Sequence, residues 1–315
     1  MSPALRAVLV GAGGIGSSYS DTRSGAPRSH ASGLLAHPDV RLVGAIDTDG
    51  RQRERFHSER GLPAWAPSGA HRAGKVDIAV VATPPDAHSS GLDLALALGA
   101  RAVLMEKPMG RTAAEAASIA ARAAEAGTSL LVNYSRRFDP AFDRLRERVQ
   151  AGCIGLVRRI TVDYCRGLRN NGSHAIDLSD QTLGPLEVEM AVDRIAEGGD
   201  DPSLDVWLRS GHGVPVDLIA MPAGSYHTFV VNIVGSTGVL RAEGATAWLR
   251  KGSGDALTPL GPPRAIVRRL SEGAIKGAIA DLVSAARSES LPRCGPDHAL
   301  SVWAALERAA SLTRR

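Results

Sequence analysis

Short apolar runs that alternate with helical patterns dominate the first 133 residues of this 315-residue chain. Each run ends at Gly, Asp, Pro or Ser, and the later runs are separated by segments with Ala and Leu at helical spacing. Short continuous apolar strands with helices between them indicate a parallel sheet that is covered on both faces. We therefore predict a doubly wound α/β domain over residues 1–133, with its ligand at the carboxyl ends of the strands.

The pattern changes from about residue 134. A helix is followed by stretches such as GLVRRITVDYC, in which apolar and polar residues alternate, and further candidate strands lie close together without helices between them. Alternation of this kind is typical of half-solvated antiparallel strands. We predict a second domain of α+β type over residues 134–315, built on an open, mainly antiparallel sheet.

Composition excludes several classes of protein. The net charge of +4 arises from arginines interleaved with acids, and aromatic residues are only 4% of the chain, which argues against nucleic-acid binding. No apolar run is long enough for a membrane span, and no signal-peptide pattern is visible at the start. Three cysteines without paired spacing favour a reducing compartment. We expect a soluble, cytoplasmic protein.

A glycine fingerprint follows the first strand directly. Gly11, Gly13 and Gly16 form G-x-G-x-x-G, with Gly14 and Ile15 inside it. Such glycines allow a tight turn and a close backbone approach to a pyrophosphate, and a helix N-terminus after them offers free N–H groups. The strand before the fingerprint and the βα pattern after it predict dinucleotide binding, whereas an ordinary Gly-rich strand–helix turn is the alternative.

Asp47 ends the second strand, where an acid accepts hydrogen bonds from adenosine ribose hydroxyls and repels a 2′-phosphate. NAD is therefore favoured over NADP, although Arg51 lies close enough in sequence to soften the preference. Asp47 follows Gly16 by more residues than the usual spacing of about 20. The excess lies in residues 17–30, which we interpret as an extended loop before a helix that resumes near His30. This loop is either a lid or substrate contact, or a surface insertion.

Lys107 is one of only four lysines in an arginine-rich chain. It follows the strand RAVLM, so it falls at the ligand-binding edge of the predicted sheet. A lysine there can hold a substrate oxygen and stabilise the negative charge that develops on it, and unlike arginine it can shift its pKa. Chance is the alternative explanation.

GAGGIG, VVATPPDAHSSGLDLALALGARAVLMEKP and SRRFDPAF together resemble the glucose–fructose oxidoreductase/inositol dehydrogenase/rhizopine-catabolism (Gfo/Idh/MocA) family. The resemblance implies a Rossmann domain, a second domain with a large open sheet, and sugar or cyclitol substrates that are oxidised or reduced with a nicotinamide cofactor. It implies that Lys107 is catalytic and also contacts the cofactor. Further cofactor contacts are implied at the residues that match the two family elements: Thr83, Pro84, His88 and Glu106.

Hydride transfer from an alcohol needs a base that takes up the hydroxyl proton, and the best candidate stretch for this base is NNGSHAIDLSD. Ser173 is a plausible N-cap for a helix in which His174, Asp177 and Asp180 share roughly one face, so Asp177 can orient the His174 ring. A histidine at a helix end with solvated aspartates is the alternative. The stretch resembles a G-T-H-x-x-D form found in the family, which implies that His174 is the proton acceptor and Asp177 its support.

Four further residues flank these motifs and are candidates for binding substrate hydroxyls, although each alone is more often structural: Arg137, Tyr164, Arg166 and Asn171. The cysteines show no metal spacing, so we predict no metal.

The sequence thus predicts an NAD(H)-dependent oxidoreductase that interconverts a secondary hydroxyl and a ketone on a sugar, nucleotide sugar or cyclitol. One alternative is a lyase, glycosidase or epimerase in which NAD cycles internally without net redox. Another is a non-catalytic nicotinamide-binding sensor. The expected partner is a small sugar-like molecule, and the resemblance implies a homo-oligomer.

Overall fold

The computed structural model describes residues 3–20, 25–196, 198–223, 227–252, 260–268, 270 and 272–314. The chain forms two compact units, of which the first comprises residues 1–139 and 272–300 and the second comprises residues 140–271 and 301–315. The sequence predicts a single division, between residues 133 and 134. It does not predict that residues 272–300 return to the first unit.

A six-stranded parallel sheet with the order β3-β2-β1-β4-β5-β6 forms the centre of the first unit. Its elements up to residue 132 are β1 (Leu5–Val10), α1 (His30–Ala36), β2 (Val40–Ile46), α2 (Gly50–Arg60), β3 (Ala64–Trp65), β4 (Ile78–Val81), α3 (His88–Ala97), β5 (Ala102–Met105), α4 (Ala113–Glu125) and β6 (Ser129–Val132). The strand order reverses between β1 and β4, which is where a doubly wound sheet binds its ligand. The predicted Rossmann-type sheet is confirmed.

Burial explains why the strands of this unit are continuous apolar runs. Every residue of β4 and β5 is fully buried, because helices cover both faces of the sheet. The helices begin at the polar caps that the sequence supplies: Ser29 Oγ accepts the Ser32 amide at 3.2 Å, and Thr112 Oγ1 accepts the Glu115 amide at 3.1 Å.

A mixed nine-stranded sheet with the order β14-β13-β12-β11-β7-β10-β9-β8-β15 forms the second unit. The elements after residue 139 are α5 (Pro140–Gln150), β7 (Val157–Tyr164), α6 (Ser173–Leu183), β8 (Leu186–Val192), β9 (Asp205–Ser210), β10 (Pro215–Ala220), β11 (Phe229–Gly235), β12 (Gly238–Glu243), β13 (Thr246–Lys251), β14 (Arg264–Arg268), α7 (Ala274–Ala286), α8 (Pro296–Leu312) and β15 (Thr313–Arg314). Neighbouring strands are antiparallel except for β7–β10 and β8–β15, so the predicted, mainly antiparallel sheet is confirmed.

Helix α7 belongs to the first unit, and glycine makes its close packing there possible. A methyl group on Gly277 would lie 1.8 Å from the carbonyl oxygen of Phe138, and one on Gly33 of α1 would lie 2.6 Å from Ile275. Only a residue without a Cβ atom allows such close approaches. The helix therefore packs against α1 and against the 3₁₀ turn at Ser135–Phe138.

Candidate functional site in the first unit

The glycine fingerprint forms a tight turn against the loop after β4. Gly11 has φ +92°, and a methyl group on it would lie 2.8 Å from the backbone of Ala82 and Thr83. A methyl group on Gly16 would lie 2.1 Å from the Gly11 carbonyl oxygen. Both positions therefore require glycine. Gly13 differs, because a methyl group there would meet no atom within 4 Å.

The segment after the fingerprint is not the expected helix N-terminus. Gly14–Ser18 form one π-helical turn, in which the amides of Ser17 and Ser18 donate to the Gly13 carbonyl at 2.8 and 3.3 Å. The first α-helix begins only at His30, as the polar, Gly- and Pro-containing segment before it predicts. Residues 21–24 of the predicted loop lie outside the described residues. Arg60 of α2 holds the turn by donating from Nη2 to the Ser17 carbonyl at 2.8 Å.

A cleft of about 770 Å³ opens between this turn and the ends of β2 and β4. Seven of the predicted cofactor residues line it: Gly11, Gly13, Gly14, Ile15, Asp47, Thr83 and Pro84. Four others do not: Gly16, His88, Glu106 and Lys107. The remaining lining is mostly apolar and includes Ile46, Leu94 and Ala97. A largely apolar cleft with a few polar groups is typical of a cofactor site.

Asp47 is positioned beside this cleft by the backbone around it. Its Oδ2 accepts the Ala12 amide at 2.7 Å, and its Oδ1 accepts the Asp49 amide at 2.8 Å. Arg53 donates from Nη1 to the carbonyl oxygens of Asp47 and Thr48, both at 2.9 Å. These bonds use the backbone donors near the carboxylate and leave each oxygen with further acceptor capacity.

These residues fit a dinucleotide. At Gly13 the space beside the backbone is open, as the approach of a pyrophosphate would require, and the Asp47 carboxylate lies just after β2. Thr83 lines the cleft, and within the described part of the chain its hydroxyl oxygen is buried without a hydrogen-bond partner. A buried hydroxyl without a partner costs free energy, so a ligand that supplied the bond would remove that cost.

His88 joins two loops and does not face the cleft. The ring is fully buried, its Nε2 lies 2.9 Å from the Thr83 carbonyl oxygen, and its Nδ1 accepts the Gly110 amide at 3.3 Å. Burial lowers the pKa of His88, and the hydrogen bond to Thr83 offsets this in part. The neutral ring therefore carries its proton on Nε2 and holds Thr83 in place.

Glu106 takes part in a buried hydrogen-bond cluster. Its Oε1 lies 2.7 Å from His30 Nε2 and accepts Asn133 Nδ2 at 2.6 Å, while its Oε2 accepts the Lys107 amide at 3.3 Å. Burial raises the pKa of Glu106, but the hydrogen bond and charge of His30, with Asn133 and Lys107, outweigh burial and lower it overall. Glu106 is therefore ionised and fixes the backbone at Lys107, which is itself half-buried at the end of β5. No sequence motif predicts that His30 and Asn133 belong to this cluster.

Candidate functional site in the second unit

Helix α6 carries His174 and Asp177 on adjacent turns, as predicted, and both side chains are buried. The predicted N-cap is wrong. Ser173 is the first residue of the helix, and its Oγ donates to the Asn170 carbonyl at 3.1 Å. A π-helical turn over Leu168–Gly172 precedes the helix. Because the backbone is already helical there, the start of α6 needs no side-chain cap.

Asp201 fixes the turn that leads to His174. Its carboxylate accepts the amides of Arg169 and Asn170 at 2.8 and 3.0 Å. A methyl group on Gly167 would lie 2.1 Å from Asp201 Oδ2, so the close approach requires the glycine. No sequence motif predicts this role of Asp201, because it lies 31 or 32 residues from the amides that it binds.

Tyr164 is structural and not a substrate-binding residue. Its hydroxyl donates to the Leu204 carbonyl at 2.6 Å and accepts the Leu204 amide at 2.9 Å, and the side chain is fully buried. Asn171 lies nearer the surface, where its Nδ2 donates to the Cys165 carbonyl at 2.8 Å and lies 3.3 Å from His227 Nε2. Asn171 and Arg166 stay predictions as substrate contacts.

Relationship to known proteins

Residues 5–134 match the Gfo/Idh/MocA family model, which describes an oxidoreductase family with an NAD-binding Rossmann fold. The matched segment contains the glycine turn, Asp47 and the cluster at Glu106. The first domain of this chain is therefore similar to the NAD-binding domain of the Gfo/Idh/MocA oxidoreductase family. The resemblance of its motifs to this family is thereby confirmed, and the matched family is one of oxidoreductases.

Two curated relatives are dehydrogenases. The chain is 25% identical over 261 residues to an inositol 2-dehydrogenase of Rhizobium meliloti. The aligned segment covers 76% of each chain. It is 29% identical over 231 residues to the trans-1,2-dihydrobenzene-1,2-diol dehydrogenase of Mus musculus, which covers 67% of this chain and 66% of the relative.

A solved structure agrees in fold over nearly the whole length. A 3-ketoreductase from Actinomadura kijaniata, solved in complex with NADP, matches with a TM-score of 0.78 at 20% identity. The match covers 99% of this chain and 98% of the 3-ketoreductase chain. Among the described residues of our chain, no helix has the length and apolar character that crossing a membrane would require.

Proposed function

We propose that this protein is an NAD(H)-dependent oxidoreductase that interconverts a secondary hydroxyl and a ketone on a sugar, nucleotide sugar or cyclitol. The observation that carries the proposal is the cleft bounded by the glycine turn and Asp47, in a chain whose Rossmann domain matches an oxidoreductase family. The names of the two curated relatives support a cyclic, hydroxyl-bearing substrate.

NAD is the proposed cofactor. The glycine turn would hold its pyrophosphate and Asp47 its adenosine ribose, where a carboxylate repels the 2′-phosphate of NADP. When bound, the cofactor accepts or supplies the hydride. Since a related fold was solved with NADP, the preference has to be measured on this chain.

Lys107 is the proposed residue that holds the reacting oxygen of the substrate. Its backbone is fixed by the ionised Glu106, so the side chain starts from a defined position at the carboxyl end of β5. An ammonium group beside the oxygen stabilises the negative charge that develops as the hydroxyl loses its proton.

His174 is the proposed proton acceptor in the oxidation and the proton donor in the reduction, with Asp177 as its support. A neutral imidazole takes up the proton in the oxidation and the resulting imidazolium returns it in the reduction, and an imidazole can interchange between these two forms near pH 7. His174 lies at the start of α6, after a turn that Asp201 fixes. The backbone that carries the ring is therefore held in place.

Absorbance at 340 nm with purified protein tests the proposal directly. Inositols, free sugars, aminosugars and nucleotide sugars would be offered with NAD and, separately, with NADP, and the matched control is Lys107→Met. The proposal predicts a substrate-dependent rise with NAD that falls by at least about 100-fold in the variant. If no compound changes the signal while NADH binds, net redox is contradicted and internal cofactor cycling or a sensor role takes its place.

A further inference from the structure

A chain of polar side chains connects Asp177 to the surface of the second unit. Gln181 Nε2 donates to Asp177 Oδ2 at 2.9 Å, Arg146 Nη1 donates to Gln181 Oε1 at 3.3 Å, and Arg146 Nη2 lies 2.9 Å from Asp143 Oδ1. Arg146 and Asp143 lie on α5, whereas Asp177 and Gln181 lie on α6. Neither Gln181 nor Arg146 belongs to a motif.

The arginine settles which way the glutamine amide faces. An amide can present either its oxygen or its nitrogen to a neighbour, and the choice has to be inferred from the partners. A guanidinium group can only donate hydrogen bonds, so the group that faces Arg146 must be the Gln181 oxygen. The NH₂ group of Gln181 is then directed at Asp177.

This orientation makes Asp177 a hydrogen-bond acceptor. An NH₂ group can only donate, so Asp177 Oδ2 accepts this bond. Asp177 is fully buried, and a buried carboxyl group needs hydrogen-bond partners such as this amide. Asp143 holds the other side of the Arg146 guanidinium, which keeps the arginine beside Gln181.

Helical spacing places Gln181 in line with the proposed proton acceptor. His174, Asp177 and Gln181 are separated by three and four residues, so they form one row along α6. We propose that Gln181, anchored by Arg146, is a positioning residue that holds Asp177 as a hydrogen-bond acceptor for the His174 ring. This inference rests on the proposed function, in which His174 moves the proton.

Gln181→Met tests the inference, because methionine has a similar length but cannot donate. The second variant is Arg146→Met, which leaves the Gln181 amide free to rotate, and its matched control is Arg144→Met at an exposed position of the same helix. Steady-state kinetics would be measured on each variant and on Gln181→Met in an Asp177→Asn background. Independently of activity, ¹⁵N NMR of labelled protein would report which ring nitrogen of His174 carries the proton, with His174→Gln assigning the signal.

The inference predicts that Gln181→Met lowers kcat about tenfold with KM within about twofold, and that this loss disappears in the Asp177→Asn background. Arg146→Met shows a smaller loss and Arg144→Met none. The His174 ring changes from one tautomer to a mixture in Gln181→Met. An unchanged tautomer in the folded variant, or an equal loss in both backgrounds, overturns the inference. If the wild type turns over no substrate, the proposed function fails, and the NMR result alone decides whether Gln181 positions His174 through Asp177.

Discussion

His30 Nε2 lies 2.7 Å from Glu106 Oε1, so a buried hydrogen bond joins the first residue of α1 to the end of the strand that precedes Lys107. The two residues are separated by 76 positions in the sequence. His30 is fully buried, and Glu106 is 13% exposed. The bond fixes the carboxylate that in turn accepts the Lys107 amide.

His30→Phe should lower the free energy of unfolding by about 3 kcal/mol, because it leaves the buried Glu106 charge without its main partner. Denaturation in urea measures this loss, and His71→Phe at an exposed position is the control. A loss below about 1 kcal/mol in His30→Phe would show that the Glu106 carboxylate does not depend on His30.

Acidification should destabilise the protein through His88. Burial lowers the pKa of His88 in the folded state, so below the ordinary value of 6.5 the unfolded chain binds more protons than the folded one. The stability contributed by the neutral ring is fully present above 6.5 and is lost as pH falls through the lowered pKa. Urea denaturation between pH 7 and pH 5 should show this decline, with a smaller slope in His88→Gln. Equal slopes in the two proteins would exclude His88 as the source.

Gly13 and Gly16 should respond differently to the same methyl group. Gly16→Ala should cost about 2 kcal/mol of stability or more, because the methyl group would lie 2.1 Å from the Gly11 carbonyl oxygen. Gly13→Ala should change stability by less than about 0.5 kcal/mol, since its methyl group meets no protein atom. Because Gly13 lines the cleft, NADH affinity, measured by fluorescence titration, should nevertheless fall about tenfold. Unchanged affinity in Gly13→Ala would contradict the placement of the pyrophosphate at this turn.

Asp47→Asn should weaken NADH binding about tenfold and bring the affinities for NADH and NADPH closer together. The amide keeps one oxygen for a backbone hydrogen bond but removes the charge that repels a 2′-phosphate. Asp49→Asn is the matched control, since asparagine also serves as the N-cap that Asp49 provides for α2. If wild-type protein already binds NADPH as tightly as NADH, the assignment of NAD is wrong.

The sequence predicts the first sheet well because its strands are buried on both faces and therefore read as apolar runs. It also predicts that residues after Gly16 delay the first helix until His30, since the segment is too polar for a buried helix. It does not predict the π-helical turns at Gly14–Ser18 and Leu168–Gly172, because no residue pattern distinguishes such turns from an ordinary helix start.

Contacts between distant segments are the part that a single sequence does not contain. Helix α7 packs in the first unit although more than 130 residues of the chain separate it from β6. The same holds for the cluster at Glu106 and for the Arg146–Gln181 contact, which joins residues 35 positions apart. Motifs predict Lys107 and His174 as site residues, whereas only the fold identifies the residues that hold their surroundings in place.

Deuterium transfer tests the central claim, net hydride transfer to the cofactor, most directly. The substrate that gives the largest rise at 340 nm would be labelled with deuterium at its carbinol carbon and incubated with NAD, and mass spectrometry would follow the label. The account predicts one deuterium in the reduced cofactor for each ketone formed. Deuterium that stays in or returns to the sugar product, without labelled reduced cofactor accumulating, would contradict the account and indicate internal redox cycling.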